Sequence, residues 1–508
     1  MKHFTLIALL SLSFLSLQSQ TIPDLTFGIN GTITRDINFN DDVAKDIIVQ
    51  PDGKILIACN AILQSYNKYT VARYNANGTI DTTFGVNGLT SAFVGPVHDM
   101  ATSMALQADG KILVAGNYGW NFYNDPAIVR FNSNGSIDST FGVNGYVRYI
   151  FSNFYDEFND MLIQTDGKIV VAGRTYENGT DNFLIMRFLP TGNPDSTFGV
   201  NGKVTTDYLN SDDCIYSVLQ QPDGKLIVSG NTTPGSSYFA AARYLPNGSL
   251  DQTFGTGGKL FISSGARFDQ CFGMAIQSDS CIVLAGKHHQ GSLDEYMIVR
   301  LKPNGNTDST FASTGIKTIS TLHANDIIND VIIQSNGKII LTGKHNETNA
   351  MIMRLTPSGN FDNSFGASGM YSISNNAVDN SFFSVVSIND STLLAGGYTK
   401  LVNNKDIFLT KVFTNSITSG IKNVKEIYPL TLYPNPATGF VMIEMPFNTE
   451  SKSDLNIYDI SGNQVYNTQI NILNSSARID LPATLKPGLY IISIHNGKQT
   501  ATQQLIIK

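Results

Sequence analysis

The string Phe-Gly-x-Asn-Gly, or a close variant of it, begins at Phe27, Phe84, Phe141, Phe198, Phe254, Phe311 and Phe365. One unit is therefore written seven times, at spacings of 57, 57, 57, 56, 57 and 54 residues. Such regularity confines a chain to architectures that stack one supersecondary unit on the next. Three residues before each Phe stands an acid: Asp24, Asp81, Asp138, Asp195, Asp251, Asp308 or Asp362. Four residues after it stands Gly31, Gly88, Gly145, Gly202, Gly258, Gly315 or Gly369.

Each unit reads as four short strands. An extended piece such as GTIT follows the glycine, and then come a second strand such as AKDIIVQ, a tight turn and a third strand such as KILVAG. The fourth strand carries a base at its middle: Arg73, Arg130, Arg187, Arg243, Arg300, Arg354 and, last, Lys411. The turn pairs Asp52 with Gly53 and recurs as Asp109 with Gly110, Asp166 with Gly167 and Asp223 with Gly224. These pairs tolerate the positive φ angles of a two-residue hairpin. No segment carries a 3.6-residue period, and 44 glycines with only 15% charged residues suit a turn-dense β protein, so the class is all-β.

Four strands in each of seven units describe a seven-bladed β-propeller over residues 21–413, each small sheet burying both faces against its neighbours. Through QxDGKIxxAG, the mid-strand Arg and DxTFGxNG, the copies resemble the delta-60 repeats of bacterial secreted proteins over residues 24–413. That resemblance implies a propeller and assigns no chemistry.

The repeated letters have physical roles to fill. The Asp of DxTF is placed to accept backbone N–H groups just downstream, and the Phe to plug the space between blades. The glycine answers a positive-φ requirement. A mid-strand Arg is costly to bury unpaired, so a carboxylate partner is expected in its own unit or the next. A second acidic column offers one: Asp42, Asp99, Asp156, Asp213, Asp269, Asp326 and Asp379. Because that column appears once per blade, it reads as blade construction rather than a metal ring. DINFNDDV, from Asp36, lacks the glycine and distal Glu of an EF-type loop, so no metal and no cofactor are expected.

Lys2 and His3 precede an apolar run from Phe4 to Leu17, the layout of a secretory signal peptide over residues 1–20. No later stretch reaches the ~18 apolar residues of a membrane span. A net charge of -7 without a basic run argues against nucleic acid. Cys59, Cys214, Cys271 and Cys281 are too scattered for a disulfide framework and read as small core residues.

Binding residues are expected where the units diverge, in the loops between strands one and two and between strands three and four. One such loop holds Tyr118, Trp120, Phe122 and Tyr123, aromatic groups suited to a sugar ring or a protein. His288, His289 and His345 occupy matching loops of adjacent units and read as surface histidines that also face a ligand. No GxSxG, HExxH or phosphate-binding loop is present, so the balance lies against an enzyme.

The repeat stops at Thr414. A polar linker over 414–427 leads to residues 428–508, whose seven short alternating strands suggest a small β-sandwich. Tyr433 to Pro436, LNIYDISGNQV from Leu455, LKPGLYII from Leu485 and the terminal Lys508 resemble the C-terminal sorting domain of the Bacteroidetes type IX secretion system. The resemblance implies that residues 428–508 engage the type IX machinery after export to the periplasm. It also implies a mature protein that is secreted or attached to the outer-membrane surface. The expected function is a propeller that binds a glycan or protein through its variable loop face. A lyase or hydrolase with an axial site, and a structural surface protein, are the alternatives.

Overall fold

A computed structural model describes residues 23–414 and 427–508, apart from 64–65, 96–97, 121–122, 153, 266–267, 322–324, 376, 402, 445–451, 460–463, 473–475 and 496–499. The predicted signal segment and most of the predicted linker lie outside the described residues. Two compact units divide at Ser416 and Ile417. Every regular element described is a strand.

The first unit holds seven four-stranded antiparallel groups. Sheet 1 runs Val43–Val49, Ile55–Leu63, Tyr66–Tyr74 and Leu89–Ala92; sheet 3 runs Glu157–Ile163, Ile169–Glu177, Thr180–Phe188 and Lys203–Thr206. The others repeat this order, with leading strands at His98–Leu106, Asp213–Gln220, Gln270–Ile276, Ile327–Ile333 and Asp379–Asn389. A single bridge, Asn67 to His98, joins sheets 1 and 2. Each sheet therefore takes strands two, three and four of one sequence unit and strand one of the next. Sheet 7 has no following unit, and its fourth strand is Thr32–Arg35, paired with Lys405–Phe413.

Apolar side chains fill the spaces between neighbouring sheets. Phe84 packs with Leu56 and Val71 of sheet 1 and Val114 and Val129 of sheet 2, and all seven repeat phenylalanines are fully buried. Each such ring contributes about 1.5–3 kcal/mol by leaving water. Gly88 shows why its column must be glycine: φ is +82° and a Cβ would stand 2.3 Å from the Ile80 side chain. The Asp-Gly turn is a three-residue loop rather than the expected two, closed by Gln50 N–H to the Lys54 carbonyl at 2.7 Å. Only its glycine, Gly53 at +83°, needs positive φ.

The six mid-strand arginines are buried, Lys411 is half-buried, and all are paired, but with the other acidic column. Arg73 Nε donates to Asp81 at 2.7 Å, Arg187 to Asp195 at 2.8 Å and Arg243 to Asp251 at 2.9 Å, and Arg130 forms an ion pair with Asp138 at 2.8 Å. Arg300 pairs with Asp308, Arg354 with Asp362 and Lys411 with Asp24. The expected partners Asp42, Asp99, Asp156, Asp213, Asp269, Asp326 and Asp379 take no part, because they stand at the opposite end of each sheet. The seat is complete in itself: Asp81 Oδ1 accepts the Thr83 N–H, Lys54 adds a second cation at 3.0 Å, and Phe84 lies 4.5 Å beneath the guanidinium. Arg73 also donates to the Ser133 carbonyl of the next sheet at 2.7 Å, so one side chain staples two sheets.

All four cysteines are free thiols. The second unit pairs strands Thr431–Thr438, Phe440–Glu444, Lys452–Tyr458, Gln464–Asn471, Ser476–Asp480, Gly488–His495 and Thr500–Ile507. They enclose Val441, Ile443, Leu455, Ile457, Ile492, Ile494 and Leu505. An eighth, Ile427–Pro429, runs parallel to the last strand.

Candidate functional site

Every leading strand carries an extra residue against its partner near its start, and the last carries a second between Ser387 and Asn389. The register breaks between Ala44 and Asp46, Ala101 and Ser103, Phe158 and Asp160, Ile215 and Ser217, Cys271 and Gly273, Ile328 and Asp330, and Phe382 and Ser384. A bulge of this kind turns its extra side chain out of the pleat. The seven bulges together wall one cavity of about 340 Å³.

The bulged residues are Lys45, Thr102, Asn159, Tyr216, Phe272, Asn329 and Phe383, all half-buried. Three of them tie their sheet to the next. Thr102 donates to the Phe158 carbonyl at 2.8 Å, Asn159 to the Ile215 carbonyl at 2.9 Å and Asn329 to the Phe382 carbonyl at 2.7 Å. The other four are not spent in this way. The Tyr216 and Phe272 rings meet edge to face, 5.3 Å apart. Lys45 Nζ lies 4.3 Å over the Phe383 ring, and no ion pair of Lys45 is found among the described residues. Burial pushes its ammonium down to about 8.

Behind the bulged residues stand three acids. Asp46 accepts the Met104 N–H of the next sheet, Asp160 that of Val218 and Asp330 that of Val385, each at 2.8 Å. Serines link them: Ser103 donates to Asp160 at 2.9 Å, and Ser384 of sheet 7 to Asp46 of sheet 1 at 3.1 Å. Burial, opposed by these N–H groups, pushes Asp46 up to about 7 and Asp330 up to about 6. Burial raises Asp160 as well. Sequence reading missed this site. Its signal was a column three residues after the second acidic column, or four in the last unit, that changes from Lys to Thr, Asn, Tyr and Phe inside a strand.

The residues singled out from the sequence are not gathered at one place. Tyr118 is not on a loop: it is buried in the core between sheets 1 and 2, 4% exposed. The backbones of Trp120 and Tyr123 pair at the end of a hairpin, and Phe122 lies outside the described residues. His288 is buried in a wall of a second cavity, of about 590 Å³, that also touches Ser264, Phe268 and His289. His289 binds Asp294 at 2.7 Å, while His345 lies 3.0 Å from the Tyr296 hydroxyl and 3.4 Å from Asp326. Ser264 and Asp269 both meet His288 at Nδ1, at 2.6 and 2.9 Å, and Nε2 faces Gln290. A nucleophilic serine needs the nitrogen opposite the acid, so this trio is a structural clasp. A larger open groove of about 840 Å³ runs from Arg35 to Asn38 and from Gly85 to Thr90.

The second acidic column organises these loop ends. Asp99 accepts Val94 N–H at 2.7 Å and Gly95 N–H at 2.9 Å; Asp213 accepts Tyr208 N–H at 2.7 Å. Burial raises Asp99 to about 6 and Asp213 to about 7 against those bonds.

Six segments, residues 50–84, 107–141, 164–198, 221–254, 277–311 and 334–365, match the family described as a domain of unknown function (DUF5122) beta-propeller. Residues 431–508 match the secretion system C-terminal sorting domain. The chain thus carries six DUF5122 beta-propeller repeats and a C-terminal sorting domain, the latter implying export. Among solved structures it is similar to a catalytically inactive virginiamycin B lyase from Staphylococcus aureus, at 12% identity over 75% of this chain and 98% of that one, TM-score 0.45. It is also similar to a protein of unknown function from Dyadobacter fermentans, at 11% identity, 76% and 98% coverage and TM-score 0.43. A polysaccharide lyase of family PL25, an ulvan lyase, stands at 13% identity, 76% and 96% coverage and TM-score 0.42. Likenesses of this order carry no argument about chemistry. No curated protein matches the chain.

Proposed function

We propose that the seven sheets close into a seven-bladed propeller and that the exported protein binds a glycan in the central cavity. Closure is supported by the Thr32–Arg35 strand completing sheet 7 and by the Ser384 to Asp46 bond between the last and first sheets. The binding reading rests on one observation: the column that breaks the seven-fold repeat supplies Lys45, Tyr216, Phe272 and Phe383 to a single cavity. Aromatic faces stack on the C–H faces of sugars, and an ammonium meets their hydroxyl or acid oxygens. A volume near 340 Å³ lies within the size range of small-ligand sites.

The reading moves the ligand from the loop face expected from sequence to the centre. Glycan-array binding by the whole chain, abolished by Tyr216→Ala and Lys45→Ala, is the expected result. Binding unchanged in both variants would return the ligand to the loops. The lyase alternative has one observation in its favour, the lowered Lys45 ammonium, which supplies a proton acceptor near neutral pH. Shortening of a bound polysaccharide, lost in Lys45→Ala, would establish it.

A further inference from the structure

The second acidic column offers a seven-fold internal control, and one copy breaks it. In every sheet one carboxylate oxygen has a donor from the loop before the leading strand or from its neighbours; in six sheets the other oxygen has one too. Asp99 Oδ1 takes the Gly95 N–H, Asp156 Oδ1 the Thr175 hydroxyl at 2.7 Å, and Asp213 Oδ1 the Ser211 hydroxyl at 3.3 Å. Asp269 Oδ1 faces His288, Asp326 Oδ1 takes the Asn346 N–H at 3.0 Å, and Asp379 Oδ1 takes the Lys344 ammonium at 2.7 Å. Asp42 is the exception. Its Oδ2 accepts the Ile37 N–H, whereas Oδ1 is wholly buried and has no hydrogen-bond partner.

Where the other sheets place a donor, sheet 1 gathers acids. Oxygens of Asp36, Asp42 and Asp406 all lie within 4.8 Å of one another. This is the spread of ligands around one cation with bonds of about 2.4 Å. A buried carboxylate oxygen without a donor is costly, and two further carboxylates beside it raise that cost. The segments that carry them are already held: Asp42 N–H donates to the Lys405 carbonyl at 2.6 Å, Lys405 N–H to Asp41 at 2.8 Å, and Phe39 N–H to Asp36 at 2.6 Å. Asn38 and Phe39 adopt positive φ of 64° and 60° to make the bend.

We propose that Asp36, Asp42 and Asp406 bind a calcium ion that clamps the loop after the N-terminal strand against sheets 1 and 7. Hard oxygen donors select calcium or magnesium over softer metals, and three carboxylates with water completing the shell suit the looser calcium geometry. The contiguous EF-type motif missing from DINFNDDV is not needed, because Asp406 arrives from the far end of the repeat array. A cation would supply the positive charge that Lys344 supplies to Asp379 of sheet 7.

The test is calcium titration of the whole chain after chelator treatment, by calorimetry and by thermal melting, with magnesium in parallel. The expected result is one calcium per chain, a melting temperature raised by calcium, and affinity at least tenfold weaker in Asp36→Asn and Asp406→Asn. In chelator both variants should melt above the natural chain, since each removes a repelling charge. Asp36 is exposed, so its variant keeps the test readable if Asp406→Asn fails to fold. No heat and no melting shift up to about 10 mM calcium, ten times the weak end (about 1 mM) of extracellular calcium modules, overturns the proposal. So does unchanged affinity in Asp36→Asn, and an equal magnesium response overturns the calcium assignment.

Discussion

The Arg-Asp seat at one end of each sheet and the bulge in its leading strand answer opposite demands. At the seat, sheets 1 to 6 use the same letters: an Arg, an Asp eight residues on, a Thr or Ser two beyond that, and a Phe beneath. At the bulge, seven sheets present five kinds of side chain to one cavity. The backbone geometry repeats at both places, so the difference lies in what the side chain must do. A buried charge joining two sheets has few solutions, whereas a residue facing an opening is free to suit a ligand.

The comparison breaks first at the seat if it is wrong. Arg187→Ala removes the bond to Asp195, the Pro246 carbonyl bond of 2.6 Å into sheet 4, and leaves Asp195 buried. The expected loss is about 3–5 kcal/mol in denaturant unfolding; a loss below about 1 kcal/mol would mean that the seat is decoration. Asp160→Ala leaves the Val218 N–H without its acceptor and the Ser103 hydroxyl with only the 3.5 Å contact to Asp46, and should cost about 1–3 kcal/mol by the same measurement.

Acid and base should separate the two regions. Burial resists ionisation of the seat acids, but bonds from Thr140 and Lys111 and the Arg130 charge hold Asp138 down to about 2. Asp195 is also held at about 2. Their contribution is present above the unfolded value of 3.8 and is lost as pH falls towards 2. Asp46 and Asp330 behave oppositely: raised to about 7 and about 6, they favour the fold below 3.8, and that contribution disappears as pH rises through 6 to 7. From these groups the melting temperature should therefore be highest near the shared unfolded value of 3.8, where the two windows meet, and fall as pH rises from there through 6 to 7. A curve that rises steadily to pH 8 would remove the bulge acids from the stability of the fold.

The smallest stability effect is expected at the cavity surface. Lys45→Ala should stay within about 1 kcal/mol of the natural chain, because a half-buried lysine without an ion pair contributes little. A large destabilisation would make Lys45 a structural residue and sink the contrast with the seat.

Much of the fold was legible because its causes are local. The Asp81 turn joins residues two apart, the Gly53 turn residues four apart, and the strand Val43–Val49 spans seven. The pairing of the mid-strand Arg was not legible, since each unit offers two acids and one base and spacing alone does not say which acid shares an end of the sheet. Arg73 and Asp81 flank a tight turn, whereas Asp42 and its column lie a strand length away, about 20 Å at 3.3 Å per residue. Tyr118 illustrates a related limit: a residue near a hairpin end reads as loop in the sequence, yet its side chain is counted by the neighbouring sheet as core.

The sequence by itself determined the repeat, the all-β class, the tight turns and the sorting tail, because each is written in residues that touch within one unit. Only the tertiary structure decided that strand Thr32–Arg35 belongs to sheet 7, that seven bulges share one cavity, and that Asp36 and Asp406 meet beside an unpartnered Asp42. Those contacts cross sheets, and in the last case most of the repeat array. They follow from how sheets are brought together in space, which no window along the chain contains.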